Sequence, residues 1–400
     1  MKMKVADEDR MPEACSKDIK YMMRAIELAK KGSGWCHPNP KVGAVIVKDD
    51  KIIGEGYHEK FGELHAERNA FASLEESAEG ATLYVTLEPC CFYGKTPPCT
   101  EAIIENKIAR VVIGSRDPNP KVAGKGAKIL QDAAIRVDED VLKEECDELN
   151  SVFFHFITKN LPYVVMKYAM TLDGKIATKT GKSRWISGHE SIELVHRMRG
   201  EYMAIMVGIG TVIADDPLLN CRIEGGHNPV RIICDSKLQI PVKSKLCVTA
   251  RDYDNDTIIV CANRELPTGE ITAKNLQILN NQKIFRSKAE NLLESKIRML
   301  NCPRDDGKVD LSKLLEILAK ENIDSILLEG GGELNESALS SGIVSEVKAF
   351  IAPKIFGGKA KSPVEGFGVD LPDESHKFSV SKIETVGDDV LITAKKKEEE

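Results

Sequence analysis

Short apolar segments alternate with amphipathic helical segments along most of this chain. A helical period that stops at a glycine predicts a first helix over 18–31, and two apolar runs, 42–47 and 52–57, predict a strand hairpin. The pattern continues with predicted helices near 65–74, 100–106 and 128–134 and with predicted strands 82–88 and 110–115. Strands and helices that alternate in this way pack as an α/β sandwich.

A second alternating series begins after Pro162. Residues 141–159 have one continuous helical pattern, and Pro162 stops a helix from continuing beyond Asn160. Further strands are predicted at 164–170, 204–209, 230–234, 257–261, 325–328 and 347–351. Domains usually have about 100–200 residues, so we predict two domains, 1–160 and 161–400. We expect the terminal KKKEEE segment, 395–400, to be frayed and solvated.

Composition excludes several classes of protein. The longest apolar stretch, 202–214, has thirteen residues, whereas a membrane span needs about 20. Residues 1–17 are charged and lack the apolar core of a secretory signal. A net charge of −6 disfavours long nucleic acid as a partner. The eleven cysteines are an odd number spread over the chain, which indicates thiols and metal ligands in a reducing compartment. We therefore expect a cytoplasmic protein that binds neither nucleic acid nor a membrane.

A histidine and two cysteines with the character of a zinc site follow the first hairpin. His65 and Glu67 open a predicted helix, Cys90 follows Pro89 at the end of a strand, and Cys99 lies at the start of another helix. Three protein ligands leave the fourth position of a tetrahedral zinc for water, whereas a structural zinc usually has four. Glu67 is close enough to a ligand to transfer protons. We interpret the site as catalytic, with a structural zinc as the alternative.

The motif H-x-E with a later P-C is the pattern of zinc nucleobase deaminases. The usual pair of cysteines is C-x-x-C, but here eight residues separate Cys90 from Cys99. Cys91 does not follow the proline and is interpreted as a bystander, and Cys36 as a buried thiol. Asn39 fits a contact to a pyrimidine edge or an ordinary turn residue, and His58 fits a substrate contact or a surface residue at a strand end.

The second half of the chain contains no Rossmann fingerprint. Gly208 and Gly210 form G-x-G, but Ile213 occupies the position of the third glycine. The predicted strand 325–328 instead runs into Glu329 and three glycines before a helical segment. Backbone amides at such a helix start bind phosphate, and a plain strand-to-helix turn is the alternative.

Four strings in the first half carry a resemblance to a known family: CHPNPKVGAVIV, GYHEKFGELHAE, TLEPCCFYGKTPPC and RDPNPKVAGKG resemble the deaminase half of the bifunctional riboflavin-biosynthesis deaminase/reductases. Donor-rich strings around Lys167, 171–177, 183–187 and 210–217 resemble the reductase half in the same order. The resemblance covers about residues 18–396. It implies a cytidine-deaminase-like α/β/α sandwich followed by a dihydrofolate-reductase-like α/β domain, and a homo-oligomer.

The resemblance also implies a role for each matching residue. In the first half it places zinc on His65, Cys90 and Cys99, uses Glu67 as the proton shuttle, and places Asn39, His58 and Lys95 near a phosphoribosylated pyrimidine. The implied substrate contacts in the second half are Ser183, Arg199, Leu219, Arg222 and Glu329. The implied NADPH contacts are Ala169, Trp185, Thr211, Asp215, Ser236, Gly331, Gly332, Glu333, Leu334, Asn335, Glu336 and Ser337.

The interpretation of three residues in the second half of the chain stays open. Arginine suits a ribose phosphate because its planar fork matches phosphate oxygens, but Arg199 also fits a solvated helix. Lys167 and Asp173 are candidates for polar assistance, without assigned roles.

The implied reactions are zinc-dependent hydrolytic deamination of 2,5-diamino-6-ribosylamino-4(3H)-pyrimidinone 5-phosphate and NADPH-dependent reduction of the ribosyl side chain to ribityl. The family loop commonly reads C-x-H-x-G, and Phe92 stands at the position of that histidine. The alternative is therefore a reductase whose deaminase domain binds zinc but is inactive. A nucleic-acid-editing deaminase needs a basic face, which the net charge of −6 disfavours.

Overall fold

The computed structural model describes residues 13–397, with side chains from Ser16 onward. The described residues form two compact units that separate between Asn160 and Leu161, and we call them unit 1 and unit 2. Among the described helices, none combines the length and the hydropathy that a membrane span requires. The predictions for the leader and for the tail fall partly outside the described range, which lacks residues 1–12 and 398–400.

Unit 1 is a three-layer sandwich around one mixed sheet. Its described strands are β1 (Gly43–Lys48), β2 (Lys51–Tyr57), β3 (Thr82–Leu87), β4 (Arg110–Ser115) and β5 (Arg136–Asp138). Its described helices are α1 (Glu13–Lys30), α2 (Ala66–Ala72), α3 (Cys99–Glu105), α4 (Lys125–Asp132), α5 (Lys143–Leu149) and α6 (Ser151–Lys159). The sheet order is β2-β1-β3-β4-β5, in which β3, β4 and β5 are parallel.

The period-two alternation of the strands divides the core of unit 1 between the two faces of the sheet. Ile46 and Val85 pack with α2, α3 and α4 on one face, whereas Val45 and Tyr84 pack with α1 and Cys146 of α5 on the other. This arrangement is the predicted α/β/α sandwich, and that prediction is confirmed.

Two predictions for helices in unit 1 were wrong in detail. The helix predicted at 128–134 begins at Lys125, because Gly124 adopts a positive φ of 77° and forms its N-cap. The single helix predicted over 141–159 is two helices, and Asn150 lies at the break. The Asn150 side chain accepts from the Lys41 backbone amide at 2.8 Å and donates to the Lys41 carbonyl at 3.0 Å, a long-range contact that a helical period does not reveal.

Unit 2 is built on one ten-stranded sheet. Its described strands are β6 (Tyr163–Thr171), β7 (Ala204–Gly208), β8 (Val230–Cys234), β9 (Thr257–Cys261), β10 (Gly269–Glu270), β11 (Arg298–Asn301), β12 (Ser325–Leu328), β13 (Val344–Ala352), β14 (Phe378–Val386) and β15 (Asp389–Lys396). Its described helices are α7 (His189–Glu201), α8 (Ile209–Asp215), α9 (Lys245–Val248), α10 (Ala273–Leu276), α11 (Lys283–Glu294), α12 (Leu311–Lys320) and α13 (Gly332–Ser340).

Seven neighbouring strands of this sheet are parallel, in the order β11-β9-β8-β7-β12-β6-β13. Alternate residues of each strand enter different core clusters: Met206 packs with α12 and α13 on one face, and Ile205 packs with α9 to α11 on the other. Because the strands are parallel, their carboxyl ends and the loops that follow them meet along a single edge.

Several strand predictions in unit 2 need correction. The strand predicted at 204–209 ends at Gly208, because Ile209 begins α8, and the strand predicted at 347–351 extends over Val344–Ala352. The tail prediction was wrong for Lys395 and Lys396, which pair with β13 or β14 as part of β15. The short β5 and β10, together with β11, β14 and β15, were not predicted; apolar patterning is weak where a strand is brief or, like β14, mostly exposed.

Gly56 lets α2 approach the sheet of unit 1, and its replacement tests that packing. A Cβ atom at this position would lie 2.3 Å from the Ala70 amide nitrogen and 2.5 Å from the Ala66 carbonyl oxygen. We expect Gly56→Ala to lower the free energy of unfolding by about 2–3 kcal/mol, because α2 must move away from the strand. Urea denaturation measures the change. Gly94→Ala, whose Cβ meets only Phe92 at 3.7 Å, is the control; equal stability of both variants would contradict the prediction.

Candidate active sites

Three metal-ligating side chains of unit 1 converge where strands end and helices begin. The candidate ligand atoms of His65, Cys90 and Cys99 lie within 4.8 Å of one another. His65 is the N-cap of α2, and Cys99 is the first residue of α3. The His65 Nδ1 atom lies 3.5 Å from the Cys90 sulfur and 3.4 Å from the Cys99 sulfur, so Nδ1 is the nitrogen that faces the thiols.

The long loop between the two cysteines closes on itself. The Thr100 amide donates to the Cys90 carbonyl at 3.2 Å, and the Cys99 amide donates to the Cys90 sulfur at 3.3 Å. These contacts bring the two sulfurs together although eight residues separate them in the sequence. Thr96 Oγ1 lies 3.4 Å from His65 Nε2, so the loop also supplies a partner that orients the outer nitrogen of the imidazole.

The two thiols titrate as a pair. The hydrogen bond from the Cys99 thiol, assisted by His65, lowers the pKa of Cys90 to about 4, and the same hydrogen bond raises the pKa of Cys99. The pair therefore holds one negative charge readily, and a divalent cation favours the second thiolate. One imidazole and two thiolates are the donors that zinc prefers, so these residues fit a zinc ion.

Glu67 is a carboxyl group beside this ligand set, where it interacts with the Cys99 thiol. It is 3% exposed, and burial, together with the nearby Cys90 charge, raises its pKa. A carboxyl group whose pKa is raised above its ordinary value is better suited to accept and return a proton.

The ligands open into a cavity of about 240 Å³. The predicted residues Asn39, His58 and Lys95 line it, as does Phe92. Phe92 is 38% exposed and does not belong to the ligand group.

His58 is buried, with 2% exposure, which excludes the surface-residue interpretation. Its Nδ1 lies 3.0 Å from the Leu64 carbonyl and its Nε2 lies 3.2 Å from the Asn39 side-chain nitrogen, so Nδ1 carries the proton and Nε2 accepts from Asn39. Burial lowers the pKa of His58, which agrees with a neutral ring. His58 thereby orients Asn39, whose carbonyl oxygen remains available to a ligand.

Sequence reasoning missed several polar residues of this cavity, among them Asp117 and Asn119. Both belong to the quoted string RDPNP, in which alternating prolines indicate a rigid turn. The Asn119 amide donates to the Asp117 carboxylate at 2.8 Å, and burial raises the pKa of Asp117 to about 6. The adjoining loop is held by Glu88, a buried carboxylate that accepts from the amides of Gly124 at 2.9 Å and Ala127 at 3.2 Å.

The two unassigned cysteines lie where the sequence indicated. Cys36 is buried and donates to the His58 carbonyl at 2.9 Å, and burial raises its pKa to about 12. Cys91 contacts the Lys121 carbonyl at 3.7 Å and is outside the ligand group.

In unit 2, a buried carboxylate at the end of β12 holds two cations. Glu329 accepts from Arg199 at 2.7 and 2.9 Å and from Lys167 at 2.8 Å. Burial alone would raise the pKa of Glu329, but the charges of Arg199 and Lys167 outweigh it and lower the pKa well below its usual range. Arg199 is therefore not on a solvated helix face, and the alternative interpretation was wrong.

Asp173 has a structural role in the loop after β6. Its carboxylate accepts from the Thr171 hydroxyl at 2.5 Å and from the amides of Phe356 at 3.1 Å and Gly357 at 2.7 Å. The Thr171 hydrogen bond and the two amides lower the pKa of Asp173 to about 2. This arrangement ties the loop that follows β13 to the end of β6.

Most of the predicted cofactor residues lie at the carboxyl ends of the parallel strands. Ala169 is in β6, Thr211 and Asp215 are in α8 after β7, Ser236 follows β8, and Gly331 is the N-cap of α13 after β12. Open space lies beside two glycines of this edge: a Cβ on Gly210 would meet nothing within 4 Å, and one on Gly331 would lie 4.0 Å from Thr211 Oγ1. This strip of exposed backbone fits an extended dinucleotide.

Some of the predicted cofactor residues have side chains that bond elsewhere in the protein and not along this strip of exposed backbone. Asn335 is buried and donates to the Pro363 carbonyl at 2.8 Å, and Glu336 accepts from the Ser340 hydroxyl at 2.7 Å. Gly332, Glu333, Leu334 and Ser337 complete the α13 segment, in which Leu334 packs beside Gly208.

Three of the predicted substrate residues of unit 2 lie in loops, namely Ser183, Leu219 and Arg222, whereas Arg199 is in α7 and Glu329 follows β12. Ser183 belongs to the segment before α7. The nearby exposed Trp185 is a predicted cofactor contact, and its carbonyl accepts from Lys354 at 3.0 Å. Leu219 has a buried side chain and a positive φ of 53°, so only its backbone can face a ligand. Arg222 contacts Asn220 in the same loop at 3.4 Å.

Sequence reasoning also missed Arg231, a fully buried guanidinium with no carboxylate among its hydrogen-bond partners in the described residues. It donates to Thr257 at 2.9 Å, to Thr249 at 3.0 Å and to the Leu218 carbonyl at 3.4 Å, and its guanidinium carbon lies 3.5 Å from the centre of the Tyr253 ring. Burial lowers its pKa to about 10. Arg231 fixes the backbone immediately before Leu219.

Comparisons with known proteins agree with both units. The model of the cytidine and deoxycytidylate deaminase zinc-binding region matches residues 15–115, and that of the RibD C-terminal domain matches residues 162–392. The chain is 48% identical to riboflavin biosynthesis protein RibD of Actinobacillus pleuropneumoniae, over 94% of each chain, and 43% identical to that of Aquifex aeolicus, over 95% of this chain and 98% of the relative.

A solved structure has the same two-part organisation. The Thermotoga maritima diaminohydroxyphosphoribosylaminopyrimidine deaminase/5-amino-6-(5-phosphoribosylamino)uracil reductase is 38% identical to this chain, with a TM-score of 0.81 over 96% of this chain and all of that one. The predicted pair of folds is thus confirmed. The chain belongs to the RibD family of riboflavin-biosynthesis enzymes, in which a zinc-binding deaminase domain precedes a reductase domain.

Proposed function

We propose that unit 1, residues 1–160, hydrolytically deaminates 2,5-diamino-6-ribosylamino-4(3H)-pyrimidinone 5-phosphate, and that unit 2, residues 161–400, then reduces its ribosyl side chain to ribityl with NADPH. The observation that carries the first half is the convergence of His65, Cys90 and Cys99 beside the buried Glu67. The substrates are small molecules, and neither nucleic acid nor a membrane is a proposed partner. The cytoplasmic location and the homo-oligomer stay predictions.

Deamination replaces an amino group on a carbon of the pyrimidine ring with an oxygen from water and releases ammonia. A zinc ion held by His65, Cys90 and Cys99 supplies Lewis-acid activation of the water. Glu67 takes a proton from the attacking water and returns it to the leaving amine, a role that requires a carboxyl group with a raised pKa in a water-poor site. Asn39, oriented by His58, offers its amide to the pyrimidine edge.

In unit 2, the reaction adds a hydride to C1 of the open-chain sugar imine and a proton to its nitrogen. NADPH supplies the hydride. Glu329 forms ion pairs with Lys167 and Arg199 and holds both side chains in place beside the carboxyl ends of β6 and β12. Arg222 supplies a cationic fork for the 5-phosphate of the substrate, and Arg199, whose fork is held by Glu329, contributes positive charge to the same site.

Replacement of the proposed proton shuttle tests the deaminase. We expect Glu67→Gln to decrease ammonia release from the diaminopyrimidine about a thousandfold, because an amide cannot transfer the proton. The bound zinc, measured by elemental analysis, is expected to stay equimolar with the chain. The matched control is Glu76→Gln, an exposed position outside the cavity. Ammonia release that persists in the Glu67 variant would refute the assigned role.

The position of Phe92 tests the reductase-only alternative. Because Phe92 is partly exposed and outside the ligand group, we expect the natural protein to release ammonia. We expect Phe92→His to change kcat/KM by less than about tenfold, the effect of a single contact at the opening of the cavity. The assay omits NADPH, which is added afterwards to measure reduction in the same sample. A natural protein that is silent until histidine is introduced would establish the alternative instead.

The buried ion cluster of unit 2 predicts a pH-dependent stability. We expect Glu329→Gln to lower the free energy of unfolding by about 3 kcal/mol at pH 7, because Lys167 and Arg199 lose the buried carboxylate that they share. The native pKa of Glu329 is lowered, so its contribution is full above the unfolded value near 4.3 and declines as the pH falls below it. Urea denaturation at pH 7 and below pH 4 measures the difference between wild type and variant.

The control for this variant is Glu316→Gln, which breaks the exposed pair with Lys313 and is expected to have little effect at either pH. A difference between wild type and Glu329→Gln that stays constant from pH 7 to pH 3 would show that the carboxylate charge is not the source of stability.

A further inference from the structure

A second cavity, of about 660 Å³, lies in unit 2 and is lined by three lysines and no carboxylate. We call it the basic cavity. Lys237 reaches it from the segment after β8, and Lys283 and Lys288 reach it from α11. None of the three lysines forms an ion pair with a residue that the structure describes. Three lysines without an ion-pair partner among the described residues, placed around one concave surface, attract an anion.

The basic cavity lies at the same edge of the sheet as the proposed cofactor strip. Ser236 and Lys237 directly follow the carboxyl end of β8, and the Ser236 carbonyl accepts from the Ala262 amide just past the end of β9 at 3.1 Å. The Asn263 side chain donates to Gln282 at 2.8 Å and thereby fastens the start of α11 to this edge.

A buried carboxylate holds the turn that carries Lys237. Asp235 is fully buried, and its two oxygens accept from the amides of Gln239 at 2.8 Å and Ile240 at 2.7 Å. Burial raises the pKa of Asp235, while these amides and the charge of Lys288 oppose the rise. Lys288 is therefore near the turn from the side of α11, and Lys237 extends from the turn itself.

We infer that the basic cavity binds the 2′-phosphate of the nicotinamide cofactor, and that Lys237 and Lys288 make unit 2 select the phosphorylated over the unphosphorylated dinucleotide. This inference rests on the proposed reductase function. A cofactor extended along the strip from Gly331 past Thr211 to Ser236 brings its adenosine ribose to the mouth of the cavity. A phosphate monoester is dianionic near neutral pH, and a flexible lysine meets such a group as a point charge.

The size of the effect follows from the chemistry of the two cofactors. They differ only in this phosphate, so all of the selectivity must come from the residues that surround it. A hydrogen bond between charged groups contributes about a factor of ten or more in affinity. Two lysines are therefore expected to make the affinity for the 2′-phosphorylated dinucleotide about a hundredfold higher than that for the unphosphorylated one.

The test uses the full-length protein and four probes in isothermal titration calorimetry: adenosine 2′,5′-bisphosphate, 5′-AMP, NADP⁺ and NAD⁺. We expect the natural protein to bind each 2′-phosphorylated probe about a hundredfold more tightly than its partner. Lys237→Gln/Lys288→Gln is expected to lose this preference and to keep the affinity for 5′-AMP and NAD⁺. The control is Lys274→Gln, an exposed lysine of α10 outside the cavity, which is expected to keep the preference.

The outcomes separate the two proposals. A natural protein that binds NADP⁺ and NAD⁺ equally would overturn the inference and leave the proposed reductase function in place. A preference for NADP⁺ that survives in the double variant would also overturn the inference, because the phosphate then lies elsewhere. A natural protein that binds neither dinucleotide would refute the proposed cofactor of unit 2, and the inference with it.

Discussion

Both active sites depend on the same constraint, the convergence of parallel strand ends. In unit 1, β3 ends beside Cys90 and the neighbouring parallel strand β4 leads to Asp117. In unit 2, seven parallel strands deliver Glu329, Ser236 and the loops of α8 and α13 to one edge. The last backbone groups of such strands lack partners within the sheet, and the helices that follow begin with free amides. Polar and anionic ligands are therefore accommodated there without disruption of the core.

The buried charges at these edges are held by specific partners. Glu88 accepts backbone amides from the loop after β4, and Asp235 accepts them from the turn after β8, so each carboxylate shapes the segment beside a candidate site. Glu329 instead holds two cations, and Arg231 relies on hydroxyls, carbonyls and an aromatic ring. Each arrangement satisfies a group that is costly to bury alone. The basic cavity differs, because its lysines have no ion-pair partner among the described residues and are available to an anionic ligand.

Local sequence patterns predicted the elements that bury a regular apolar face. They failed where a contact with a distant part of the chain determines the structure. The strands β3, β4, β8, β9 and β12 lie within a residue of their predicted ranges. The break at Asn150 was not predictable from the helical period, because its cause is a pair of hydrogen bonds to Lys41, more than a hundred residues away. The edge strand β14 lacks an apolar alternation, since most of its side chains are exposed.

The sequence by itself determined which chemistry is available: one imidazole, two thiols and a carboxyl group in unit 1, and a glycine-rich strand-to-helix turn with arginines and a lysine in unit 2. Those are properties of residue type and of short-range order. The tertiary structure decided that an eight-residue loop returns Cys99 to Cys90, that His58 orients Asn39, and that Asp117 joins the cavity. It also decided that lysines from the segment after β8 and from α11 share one cavity. Proximity between segments far apart in the chain arises from strand order and packing, which local periodicity does not encode.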